Sequence, residues 1–135
     1  MTVKDRSGKR ALVADADIGV RDTIFEGLEI AGFDQIDEVA DGSDALKALD
    51  RNRYDLIISD VRLHGMSGFE FVEVLRNPRL IRYDLHKSRT PVMFVSESQQ
   101  TRDIQRAKEL GGKGYFLKPF TALDLSARLM KLYGK

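Results

Sequence analysis

At 135 residues the chain is long enough to bury one real core and short for two. Its 22 Lys+Arg against 21 Asp+Glu leave a formal charge of +1, which gives no electrostatic case for binding nucleic acid or a membrane surface. The absence of cysteine excludes disulfides, zinc thiolates and thiol chemistry, and no apolar stretch approaches membrane-spanning length.

MTVKDRSGKR has no apolar core of a signal peptide, so a soluble cytoplasmic protein without membrane insertion is expected. Residues 1–9 read as a frayed tail and 10–135 as one domain. RALVA (10–14) is strand-like, and Val20, Ile24, Leu28 and Ala31 then fall at helical spacing up to a stop at Gly32. IDEVA (36–40) alternates as a second strand, and DGSDALKALD places Ala45, Leu46 and Leu49 on one helical face. LIIS (56–59) is continuously apolar, as a strand covered on both faces is. GFEFVEVLR (68–76) reads as helix, VMFV (92–95) as strand, RDIQRAKEL (102–110) as helix and GYFL (114–117) as a fifth strand. Thr121 with Asp124 resembles a capping box that opens a last helix through Leu125, Leu129 and Leu132.

Five strand–helix units in succession predict a doubly wound parallel sheet with helices on both faces, and ligands in such sheets bind beyond the carboxyl ends of the strands. The residues that follow the apolar runs are then informative. Asp15 follows the first, Asp60 the third, Ser96 the fourth and Lys118 the fifth. Two carboxylates ~4 Å apart at an effective dielectric near 20 repel by about 4 kcal/mol, which a divalent cation relieves. Oxygen ligands without Cys or His clusters suit magnesium. Magnesium with a hydroxyl and a lysine suits a phosphoryl group, and a carboxylate can itself be the nucleophile. On this reading Asp60 attacks, the metal and Lys118 balance charge, and Ser96 hydrogen-bonds a phosphoryl oxygen.

YDLIISDVRLHGMSG resembles the phosphoacceptor segment of response-regulator receiver domains, PVMFVSES their fourth strand, and GYFLKPF their fifth strand with its Lys-Pro pair. The style is closest to single-domain chemotaxis regulators, and the match runs from about Arg10 to Tyr133. The resemblance implies a flavodoxin-like fold with strand order 2-1-3-4-5, phosphorylation of Asp60 by a histidine kinase or phosphotransfer protein, and a switch shared by Ser96 and Tyr115. It also implies a cis bond before Pro119. No output or DNA-binding module follows the last helix, so signalling by protein contact is expected, on the face of the fourth helix, fifth strand and fifth helix.

The chain departs from the family pattern in four places. The first strand of most receivers ends in two adjacent acids, and here the second is Ala16. Asp17, one position on, is open to two readings: a substitute ligand, or the acid that starts the next helix. Asp15, Asp60 and the Arg62 backbone carbonyl then form a reduced magnesium site, since magnesium is commonly held by one or two carboxylates. His64 stands where the family has proline, and Glu97 where it has a small residue. The 76–91 segment is longer than usual, with Asn77 and Pro78 as a helix start and Arg76, Arg79, Arg82, Lys87 and Arg89 as a solvated surface or a docking patch. Ala16 and Glu97 favour an alternative, a degenerate receiver that binds partners without being phosphorylated. A haloacid-dehalogenase-type phosphatase using Asp15 and Asp17 leaves Asp60 and the KPF motif unexplained, and the loop after the first strand lacks the donors for a flavin phosphate.

Overall fold

The computed structural model describes residues 8–133. Five strands, β1 (Arg10–Ala14), β2 (Gln35–Val39), β3 (Leu56–Asp60), β4 (Val92–Ser96) and β5 (Gly114–Leu117), pair in parallel in the order β2-β1-β3-β4-β5. The helices are α1 (Ile18–Ile30), α2 (Gly42–Arg51), α3 (Gly68–Arg76), α4 (Leu85–Ser88), α5 (Thr101–Glu109) and α6 (Ala122–Tyr133). The fourth and fifth helices expected from the sequence are therefore α5 and α6. None of the described helices is long and apolar enough to cross a membrane.

Successive side chains of a strand point to opposite faces, and that alternation sorts the core into two layers. Leu12, Ala14, Ile57, Val92 and Phe94 pack with Leu46 and Leu49 of α2, Phe71 and Leu75 of α3 and Ala107 of α5. Ala11, Val13, Leu56, Ile58, Met93 and Val95 pack with Ile24 and Leu28 of α1 and Leu125 and Leu129 of α6. Strands β1, β3 and β4 are covered on both sides, which explains their unbroken apolar runs, whereas no residue of the edge strand β2 is fully buried. Gly27 lets α1 approach α6 closely, since a Cβ there would stand 3.0 Å from the Ala122 carbonyl oxygen. The capping box ahead of α6 forms: the Asp124 N–H donates to Thr121 Oγ1 at 3.0 Å, and the Thr121 N–H to Asp124 Oδ2 at 3.3 Å.

Two expectations change. Of the tail read over 1–9, residues 1–7 lie outside the described residues, but Gly8 and Lys9 are tied down: the Gly8 N–H donates to Asp34 Oδ2 and the Lys9 carbonyl accepts from Asp34 and Gln35. In the long segment after α3, Asn77 caps a turn of 3-10 helix (Pro78–Leu80), as its sequence predicts, and Asp84 then caps α4. Three of the five basic residues there are engaged inside the protein. Arg76 is half-buried and donates to the carbonyls of Ser88, Thr90 and Leu110. Arg82 grips both carboxylate oxygens of Asp50, at 2.9 and 2.8 Å, and Lys87 reaches the Leu49 carbonyl. That leaves Arg79 and Arg89 for the solvated surface or docking patch expected from the sequence.

Candidate functional site

Parallel pairing carries on one residue past the strands at their carboxyl ends and fixes the side chains gathered there. The Asp15 N–H donates to the Val39 carbonyl at 3.1 Å, the Lys118 N–H to that of Ser96 at 2.8 Å, and the Val61 N–H to that of Val95 at 3.1 Å. Gly68, at the start of α3, lies so close under the Asp60 carbonyl that any Cβ there would collide with it. Asp60 is thus held between a strand ladder and a helix start.

The four residues that follow the apolar runs meet. Lys118 Nζ stands 2.9 Å from Asp15 Oδ2 and 3.1 Å from Asp60 Oδ2, one ammonium between two carboxylates. Asp15 is 1% exposed, Ser96 1% and Asp60 8%. A cavity of about 300 Å³ opens over Asp60 and is lined by Ser96, Lys118, Arg62, Glu97, Ser98, Gln99 and Gln100. The Lys118–Pro119 bond is cis.

The electrostatics follow from the count of charges. Burial, with the Asp15 charge next, pushes the Asp60 carboxyl above its usual range, and Lys118 only partly offsets them. Burial alone would lower the Lys118 ammonium, but the two carboxylates outweigh it and hold its pKa up. Asp15 Oδ1 accepts the Asp17 N–H at 2.9 Å. Asp15 Oδ2 pairs with Lys118 as a charge, yet this buried oxygen has no hydrogen bond.

Asp17 takes the helix-start position: its Oδ1 accepts the N–H groups of Gly19, at 2.8 Å, and Val20, at 3.2 Å, so it caps α1. Ala16 is exposed beside it. The Arg62 N–H leans toward Asp60 Oδ1 at 3.4 Å. His64 is exposed, and its backbone bridges that of Asp41. Tyr115 is half-buried and donates from its hydroxyl to the Ser98 carbonyl at 2.9 Å, while Ser96 Oγ accepts the Ser98 N–H at 3.0 Å. Ser98, which sequence reasoning missed, thereby joins the two expected switch residues, and its own hydroxyl donates to Asp103 at 2.6 Å. Arg21 was missed as well. Its guanidinium donates to the Asp15 carbonyl at 2.6 Å and to Glu38 at 3.2 Å, and its only sequence signal is its place one turn after the cap.

Two hard carboxylates that share a single ammonium fit magnesium chemically, as a two-carboxylate site rather than a cage. No cluster of three acidic or histidine side chains suited to a metal occurs among the described residues.

Fold and site together define a doubly wound α/β protein whose charged side chains gather at the carboxyl ends of its strands. The family model for the response regulator receiver domain matches residues 11–130, and the chain belongs to that family. It is 30% identical over 124 residues to the chemotaxis protein CheY-3 of Vibrio cholerae serotype O1, covering 92% of this chain and 91% of that one. The solved structure of CheY4 of Vibrio cholerae is 31% identical, with a TM-score of 0.77 and coverage of 92% and 98%. The receiver domain of a sensor histidine kinase from Pseudomonas aeruginosa shares the fold, at 24% identity, a TM-score of 0.77 and coverage of 96% and 100%. That protein holds a magnesium ion in its active-site cleft. Receiver domains are the phosphoryl-accepting modules of two-component signalling and interact with histidine kinases or phosphotransfer proteins. The resemblance carried by SDVRLHGMSG and GYFLKPF is correct.

Proposed function

We propose that this chain is a stand-alone cytoplasmic receiver, one domain over residues 10–135, that takes a phosphoryl group on Asp60 from a histidine kinase or phosphotransfer protein. The observation that carries the reading is the single Lys118 ammonium between the buried Asp15 and Asp60 under an open cavity. In the transfer a carboxylate oxygen of Asp60 forms the new P–O bond while the bond from phosphorus to the donor breaks, its electron pair leaving with the donor. Lys118 remains to balance the charge that arrives. Ser96 Oγ already accepts from Ser98, which leaves its proton to donate to a phosphoryl oxygen. Asp15, Asp60 and the Arg62 backbone carbonyl would hold magnesium, which would neutralise charge on the phosphoryl oxygens.

Output follows from the same loop. A phosphoryl group that draws the Ser96 hydroxyl disturbs the Ser98 backbone, to which the Tyr115 hydroxyl is also tied. The ring then changes place on the face of α5, β5 and α6, where a downstream protein docks, without direct contact to nucleic acid. The protein is a phosphorylated signalling module rather than an enzyme turning over a substrate. Incubation with phosphoramidate and magnesium, followed by intact-protein mass spectrometry, tests the acceptor role. A mass gain of one phosphoryl group that the Asp60→Asn variant lacks is expected, and an equal gain in that variant contradicts it.

Ala16 and the capping role of Asp17 favour a second reading, a receiver fold that binds partners unphosphorylated. Magnesium titrations of wild type and Ala16→Asp separate the two. The acceptor reading expects both proteins to bind at millimolar levels, the variant about tenfold more tightly because affinity follows ligand charge. Binding by the variant alone selects the second reading.

A further inference from the structure

The cavity over Asp60 is lined by two charges that the acceptor chemistry leaves unused. The side chains of Arg62, just after β3, and Glu97, just after β4, both line it, and both residues are exposed, which places them at its mouth. Strands β3 and β4 are neighbours, with Asp60 paired beside Val95, so the two charges flank one opening. Neither side chain has a hydrogen bond or an ion pair among the described residues. Other charges at this edge are engaged: Lys118 with Asp15 and Asp60, Asp17 with the N–H groups of Gly19 and Val20, Asp103 with Ser98, Arg21 with Glu38 and the Asp15 carbonyl. An uncompensated charge beside a cavity acts on whatever enters it.

We propose that Glu97 selects the phosphodonor: it favours donors whose leaving nitrogen is protonated on entry, phosphoramidates and phosphoimidazoles, over acyl phosphates that release a carboxylate. The inference rests on the acceptor role of Asp60 and adds a specificity-determining residue to it. The attacking and leaving atoms lie roughly in line across phosphorus, so a donor attacked from below by Asp60 departs toward the mouth. With an acyl phosphate, the P–O bond to the donor breaks as the P–O bond to Asp60 forms, and the electron pair leaves on a carboxylate beside Glu97. With a phosphoramidate, the P–N bond breaks and the pair leaves on a nitrogen that is protonated in the donor, so positive charge enters the same place with the donor and is discharged there as a neutral amine departs. Glu97 repels the departing carboxylate of the first and attracts the protonated nitrogen of the second as that donor enters. Arg62, at the same mouth, attracts the phosphoryl oxygens common to both donors and favours each.

The size of the effect follows from distance and solvent. Unit charges several ångströms apart in a water-filled mouth alter a rate by about two- to fivefold, so two opposed effects shift a ratio of rates by about three- to tenfold. Rates of phosphoryl addition are to be followed by intact-protein mass spectrometry with acetyl phosphate and with phosphoramidate, at matched magnesium and ionic strength. Glu97→Gln removes the charge and keeps the shape; Glu97→Ala removes both. The ratio of the acetyl phosphate rate to the phosphoramidate rate is expected to rise by about three- to tenfold in both variants, and added salt to bring wild type toward the Gln variant. An unchanged ratio in the Gln variant, or a rise in the Ala variant alone, overturns the proposal and leaves the acceptor reading standing. Wild type that gains mass from neither donor overturns both.

Discussion

The carboxyl edge of the sheet and the segment inserted between α3 and β4 handle charge in opposite ways. In the inserted segment and its anchors, charges are met locally: Arg82 with Asp50, Arg53 with Asp84, the Arg76 guanidinium with three carbonyls. At the carboxyl edge two buried acids share one ammonium, and Arg62 and Glu97 stand without partners. Burial makes the second arrangement expensive, since an uncompensated buried charge loses its hydration. A scaffold has no reason to keep such a mismatch, but a site that receives a charged group has one. The matched region holds the fold in place, and the mismatched one is where the proposed phosphoryl transfer takes place.

The sharpest way to break the comparison is Lys118→Ala, which leaves both carboxylates buried without their cation. A loss of about 3–5 kcal/mol in urea unfolding is expected, and a loss below that of an ordinary surface substitution contradicts the account. Asp60→Asn acts the other way. The raised pKa of Asp60 means that its ionised form is disfavoured in the folded protein, so removing the charge raises the melting temperature by a few degrees near neutral pH. As pH falls through the folded-state pKa of Asp60, the native carboxyl takes up its proton before the unfolded one does. The wild-type penalty is thereby relieved, and the gap between the two melting curves closes. A gap that widens on acidification contradicts this.

The inserted segment responds to acid with the opposite sign. Asp84, paired with Arg53 and accepting the Lys87 N–H, has its pKa lowered to about 2, so its contribution is full above the usual carboxyl value of 3.8 and is lost as pH falls toward 2. The smallest effect belongs to Arg82→Ala. Arg82 and Asp50 are each 40% exposed, and removing the pair costs less than about 1 kcal/mol, falling further in high salt. Hydrogen exchange over residues 77–90 in that variant shows whether the loss stays local.

Why one region was legible in the sequence and the other was not follows from the same contrast. Strands covered on both faces must be apolar and must end where the covering ends, so RALVA, LIIS and VMFV announced β1, β3 and β4, and the polar residue behind each run marked the edge. Asp15, Asp60, Ser96 and Lys118 were readable because the doubly wound topology alone brings successive strand ends together. The pairing of Arg82 with Asp50 carried no such signal, since nothing local links residues 32 positions apart. The part played by Asp17 was undecidable from sequence for a different reason: a cap and a metal ligand use the same carboxylate, and only the backbone N–H groups of Gly19 and Val20 distinguish them. Asn77 and Pro78 predicted a helical turn correctly, but α4 has four residues, too few for apolar periodicity to show.

The central claim is that the carboxyl edge is short of positive charge because it is built to receive magnesium and, with it, a phosphoryl group on Asp60. Fluorine NMR of beryllofluoride with magnesium tests it most directly, since the trifluoride stands in for the phosphoryl group. The account predicts protein-bound fluoride resonances in wild type that disappear in Asp60→Asn. Bound resonances that persist in that variant, or that never form in wild type, contradict it.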